Sequence, residues 1–181
     1  EFVNPFDFID KFESDGWLFG LIGLDLKKSV CKYLFEVEKF AEARCFFEYL
    51  DAQQVWDAYF YQQMGYCYQQ LGEWNDAVGC YEKADLLESN DVWTLKCKAL
   101  CYRRLERWNE AIECYEAILK LKKEDVATML NLANMYVSID DFEKARMLLY
   151  KVDYLRPNNY KAMSGLAWCL FVGGDYEKAM T

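Results

Sequence analysis

The sequence predicts an all-α protein made of stacked antiparallel helix pairs. Three observations carry this: a segment that recurs every 34 residues, helical spacing of apolar residues within each recurrence, and a short link dividing each unit in two. The recurring segment reads Phe40-Ala41-Glu42-Ala43, Trp74-Asn75-Asp76-Ala77, Trp108-Asn109-Glu110-Ala111, Phe142-Glu143-Lys144-Ala145 and Tyr176-Glu177-Lys178-Ala179. Its alanines keep the 34-residue step without an insertion. Other columns keep it too: Leu34, Tyr68, Tyr102, Tyr136 and Leu170 upstream of each alanine, and Phe47, Tyr81, Tyr115 and Leu149 downstream. A small residue recurs at Cys31, Gly65, Ala99, Ala133 and Ala167.

Each unit holds two apolar-periodic blocks of about 14 residues, separated by links such as Leu71-Gly72-Glu73 and Gly173-Gly174-Asp175. First helices are expected near 24–37, 57–71, 91–105, 125–139 and 159–173. Second helices are expected near 40–53, 74–87, 108–121 and 142–155, with a truncated one from 176. A lone helical hairpin cannot bury its apolar face, so neighbouring units must complete the core. The small and alanine columns then let helix backbones approach while the aromatic columns fill the space between them.

Composition narrows the function. With 21 Lys plus Arg against 30 Asp plus Glu, the formal charge is −9, which disfavours nucleic acid and anionic membranes as partners. The absence of His removes the commonest general base, metal ligand and partner of a Ser or Cys nucleophile. Neither a Gly-rich phosphate loop nor a nucleophile-base constellation is present, so no catalytic residue and no cofactor are expected. No stretch of about 18 or more apolar residues points to a membrane span. The chain starts at Glu1-Phe2 and stops within a periodic pattern, and is read as a piece of a longer protein.

Cys67, Cys101 and Cys169 share one column, Cys80 and Cys114 another, and Cys31 stands in the small column. This placement reads as buried packing. The spacing of Cys97 and Cys101 on one helix is a weak zinc signal, and no metal site is expected. Free thiols favour a reducing compartment, and the expected localisation is cytoplasmic.

The period and ordered columns resemble tetratricopeptide repeats. The unit 58–91 fits best, with Tyr61, Met64-Gly65, Tyr68, Ala77 and Tyr81, while the late Pro of the pattern survives only as Pro157. The resemblance covers about 24–181, as units near 24–57, 58–91, 92–125, 126–159 and a truncated 160–181. It implies a right-handed α-solenoid whose first helices line a concave groove where ligands bind. Residues 1–23 precede the array, as a capping helix, the remnant of a preceding unit, or a self-ligand in the groove.

Read at the repeat step, the groove-facing candidates are Lys28, Lys32, Tyr59, Gln62, Tyr66, Trp93, Lys96, Arg103, Asn131, Asn134, Lys161 and Trp168. Cations dominate the charged members of this set in a protein that is acidic overall. The expected partner is therefore an acidic extended peptide or protein segment, with Gln and Asn addressing its backbone and the aromatics anchoring it. The resemblance also brings a two-carboxylate clamp, known in chaperone adaptors, into view. The clamp positions here hold Lys96, Leu100, Asn131, Lys161 and Gly165, a match at three of the five. The function expected is a noncatalytic protein-interaction scaffold. The alternatives are an architectural array that pairs through its ends, as a homodimer for instance, and a co-chaperone-type adaptor with an incomplete clamp.

Overall fold

The first helices expected near 57–71, 91–105, 125–139 and 159–173 begin where the sequence supplies a cap. Asp57, Asp91, Asp125 and Asn159 stand 34 residues apart, each immediately before a helix. Their side-chain oxygens accept backbone N–H groups of Phe60 (2.9 Å), Thr94 (2.7 Å), Thr128 (3.4 Å) and Ala162 (3.3 Å), satisfying donors that a helix start leaves orphaned.

A computed structural model describes residues 32–52 and 57–173. The chain divides into two units, Glu1–Gln54 and Val55–Thr181. Residues 1–23, Lys28, Cys31, the first part of the helix expected at 24–37 and the helix expected from 176 lie outside the described residues. In the first unit, a helical stretch at 32–36 leads by a tight turn into α1 (Phe40–Asp51). Leu34, Ala43, Phe47 and Leu50 are buried, and the Phe35 and Phe40 rings meet edge to face at 6.0 Å across the turn.

The second unit is a stack of helix pairs: α2 (Ala58–Leu71) with α3 (Trp74–Leu87), α4 (Val92–Arg104) with α5 (Trp108–Leu121), α6 (Val126–Ser138) with α7 (Phe142–Leu155), and α8 (Tyr160–Val172). Each helix packs on the next in the chain, and first helices also touch across junctions, α2 with α4 and α6 with α8. The turn inside each pair is built the same way. Gly72, Glu106 and Asp140 adopt left-handed backbone with φ of 80°, 57° and 59°, and the following N–H returns 2.9 Å to the carbonyl of Tyr68, Tyr102 or Tyr136. Only Gly72 adopts that conformation without a steric cost.

Small residues set how close the helices come. Ala77, Ala111 and Ala145 on second helices and Ala99 and Ala133 on first helices are wholly buried. Tyr81, also wholly buried, lies against Gly65, and its hydroxyl donates to Gln69 Oε1 at 3.0 Å. Between pairs, the Tyr102 hydroxyl donates to Glu82 at 2.8 Å and the Tyr136 hydroxyl to Glu116 at 2.7 Å, one bond repeated at successive junctions. Arg107 and Lys144 cover the same two rings at 4.7 and 5.2 Å.

Gly65 and Gly79 make a controlled comparison. A Cβ on Gly79 would meet nothing within 4 Å, so Gly79→Ala should gain the helix propensity of alanine, about 0.8–1 kcal/mol. A Cβ on Gly65 would lie 2.9 Å from Tyr81 Cε1, inside a ring that is hydrogen-bonded and has no exposed side to retreat to. Overpacking of about 1–3 kcal/mol should outweigh the same propensity gain, so Gly65→Ala is expected to destabilise. Urea unfolding of the two variants should give midpoints that move in opposite directions.

Candidate functional site

The outward face of the first helices in Val55–Thr181 carries most of the groove candidates. At its start, Tyr59 is 61% exposed. Tyr66 stacks on Trp93 with ring centroids 6.4 Å apart, and Trp93 also meets Tyr81 edge-on at 6.0 Å while staying 40% exposed. Trp93 therefore serves the packing between successive helix pairs and the surface together. At the other end, Trp168 stacks on Phe171 at 6.2 Å, and both rings are more than half exposed.

Two candidates bridge successive first helices. Gln62 Nε2 donates to Thr94 Oγ1 at 2.8 Å and to the capping carboxylate of Asp91 at 3.2 Å. Lys96 Nζ pairs with the next cap, Asp125 Oδ2, at 3.0 Å. The Thr94 and Thr128 hydroxyls close each cluster on the same carboxylates at 2.7 and 2.9 Å. Both threonines are buried, so this bond replaces the water they lose. Burial pushes the Asp125 carboxyl up, but the hydrogen bonds from Lys96 and Thr128, with the Lys96 charge, outweigh it and hold the group below its ordinary value.

The remaining candidates are dispersed. Arg103 and Asn131 are half-buried and Asn134 is exposed. Lys161 is exposed, with its ammonium 5.9 Å from the Tyr160 ring. Lys32 belongs to Glu1–Gln54, where it is exposed and 3.8 Å from Glu36. Within the clamp positions, Lys96 is held by Asp125, and a Cβ on Gly165 would stand 3.0 Å from Leu149 Cδ1, so that place is occupied by core packing.

The sequence reading took Lys96 as a groove cation open to a ligand; it missed the capping acids that face Gln62 and Lys96. The signal was present in the 34-residue recurrence of Asp57, Asp91, Asp125 and Asn159, with Thr94 and Thr128 three residues after two of them. A cleft of about 420 Å³ between the starts of α6 and α8 also went unread; Arg156 and Tyr160 line it beside Lys161 and Leu130.

The interior thiols serve packing. Burial pushes Cys67 and Cys101 up to about 12 and Cys114 to about 11; burial likewise raises Cys97 to about 11, against a hydrogen bond with Tyr81 that lowers it. All four are uncharged at neutral pH and poorly nucleophilic. Among the described residues no group of three or more His, Cys, Asp or Glu converges on a metal-sized site, and no helix is long and apolar enough to cross a membrane.

Stacked helix pairs with a polar, aromatic-studded first-helix face define an all-α helical-repeat protein. Tetratricopeptide-repeat models match residues 61–88, 93–125 and 126–159, together just over half of the chain. The chain belongs to the tetratricopeptide-repeat family, and its class of function is that of a protein-interaction scaffold. No curated protein sequence matches it. Similar solved structures include the MamA RS-1 ArsTM double mutant, 20% identical over 86% of this chain and 88% of that one at a TM-score of 0.75. MamA 41-end from Desulfovibrio magneticus RS-1 is 19% identical over the same shares, also at 0.75. The first TPR of Spaghetti (RPAP3), bound to the HSP90 peptide SRMEEVD, is 19% identical over 65% of this chain and 94% of that one at 0.58. At these identities the likeness is one of fold.

Asp125→Asn keeps a competent cap oxygen and removes the charge that Lys96 holds. Because the folded carboxyl titrates below its unfolded value of about 3.9, its contribution is present above that pH and is lost as pH falls through the lower folded value. The variant is expected to be less stable than wild type at pH 7 by roughly 0.2–1 kcal/mol, as for partly exposed pairs. Urea midpoints at pH 7 and pH 3 should show that gap narrowing in acid; a gap of constant size would contradict the assignment.

Proposed function

We propose that this chain is a noncatalytic, cytoplasmic scaffold that holds an extended acidic segment of a protein partner along the first-helix face of Val55–Thr181. The observation that carries the reading is the composition of that face. Exposed Tyr59, Trp93 and Trp168 offer large apolar area on rigid helices, and Arg103 and Lys161 have no carboxylate paired with them among the described residues, although the protein carries a net charge of −9. An acidic ligand gains from those cations, while the body of the protein repels it elsewhere, which favours docking in one place.

The face is graded along its length. The column Tyr59, Trp93, Ala127 and Lys161 runs from aromatic through small to cationic at the 34-residue step. Along this column a ligand is expected to place apolar residues against Tyr59 and Trp93 and an acidic residue beside Lys161, with Trp168 offering a further apolar contact on α8. Lys96 contributes less charge than its position suggests, because Asp125 already neutralises it.

The test is retention of partners from the native host's lysate by wild type and by an Arg103→Glu, Lys161→Glu double variant, after both are shown to be equally helical. A specific partner kept by wild type, lost by the variant and released as salt shortens the Debye length below about 10 Å is the expected result. Identical retention by both proteins would contradict the reading.

A further inference from the structure

The polar clasp between successive first helices is built twice and then omitted. Five residues after each cap, Gln62 reaches Asp91 and Thr94, and Lys96 reaches Asp125. The next residue at that step is Leu130, which has no polar group to offer. The cap it faces is Asn159, whose side-chain oxygen already accepts the N–H groups of Lys161 and Ala162 at 3.1 and 3.3 Å. The junction is left as an open cleft of about 420 Å³, within the size range of ligand clefts, roughly 300–1,000 Å³.

Val126, Ala127 and Leu130 supply the apolar part of its lining and Tyr160 an aromatic ring that is largely exposed. The turn between α7 and α8 contributes Arg156 and the first turn of α8 contributes Lys161, neither paired with a carboxylate among the described residues. The turn between α5 and α6 contributes Glu124 and Asp125, of which Asp125 is already matched by Lys96. The rim is thus basic on the α7–α8 side and acidic on the other, so a ligand's acid has one side to choose.

We infer that this cleft is the anchoring subsite of the groove, taking one bulky apolar side chain of a partner segment with a neighbouring Asp or Glu directed at Arg156 and Lys161. The inference rests on the groove reading above and adds to it the residue pair that the groove selects. Recognition is of internal side chains, so a terminal carboxylate is not required.

A random peptide library panned against the full chain supplies the probes, resynthesised with amidated C-termini and measured by fluorescence anisotropy. The selected peptides are expected to share a bulky apolar residue beside an acid and to bind in amidated form. Leu130→Trp, which fills the cleft, and Arg156→Glu, which reverses one rim charge, should each weaken them at least ten-fold. Arg156 is exposed, so its variant carries the test should Leu130→Trp disturb folding. Peptides that ignore both substitutions but are lost with Trp93→Ala would overturn the subsite and leave the groove standing. Binding abolished by amidation would overturn it in favour of terminal-carboxylate capture. Peptides indifferent to all these changes, or a library without binders, would overturn the subsite and the groove reading together.

Discussion

The structure depends on one side chain being pressed between two helices that belong to different repeats. Tyr81, from a second helix, has no exposed surface: it lies against Gly65 in its own pair and under the Trp93 ring of the next, with its hydroxyl on Gln69. No helix pair could bury that ring alone, so each pair is completed only by its neighbour. Tyr115 and Leu149 are buried at the same step in the following pairs, and the wholly buried Ala77, Ala99, Ala111, Ala133 and Ala145 let the helix backbones come close. An unbroken 34-residue step follows as well. One inserted residue would turn the rest of a helix by about 100° and carry its small residue away from the ring that needs it.

Packing on that side leaves the opposite face of the first helices to other uses. The buried columns hardly change from repeat to repeat, whereas the outward column runs through Tyr59, Trp93, Ala127 and Lys161. Between these extremes lie the capping clusters, which serve both ends. Asp91 and Asp125 start a helix, satisfy a buried threonine and hold a side chain of the preceding first helix. Where Leu130 interrupts that series, the surface opens into a cleft; the same substitution that weakens a structural contact creates room for a ligand.

Much of the fold was legible because helix periodicity and repeat period are local properties of a chain. Second helices expected at 74–87, 108–121 and 142–155 are Trp74–Leu87, Trp108–Leu121 and Phe142–Leu155, and the first helices expected at 57–71, 91–105, 125–139 and 159–173 fall within one residue of expectation at either end. Less of the groove could be read. That Lys96 meets Asp125, 29 residues ahead, depends on how far one pair is displaced from the next, and that displacement is set by packing of the ring and small residues in three dimensions. Counting charges on first helices alone treated Lys96 as uncommitted, because its acid sits one residue before the following helix begins. Arg156 was overlooked for a similar reason: it ends a second helix yet lines a cleft between two first helices.

Amide hydrogen exchange of the full chain, with and without a peptide selected against it, tests most directly whether the first-helix face is the recognition surface. Added protection concentrated in α2, α4, α6 and α8, strongest about the starts of α6 and α8, is the predicted result. Protection confined to α3, α5 and α7 would place recognition on the opposite side of the stack and contradict the account.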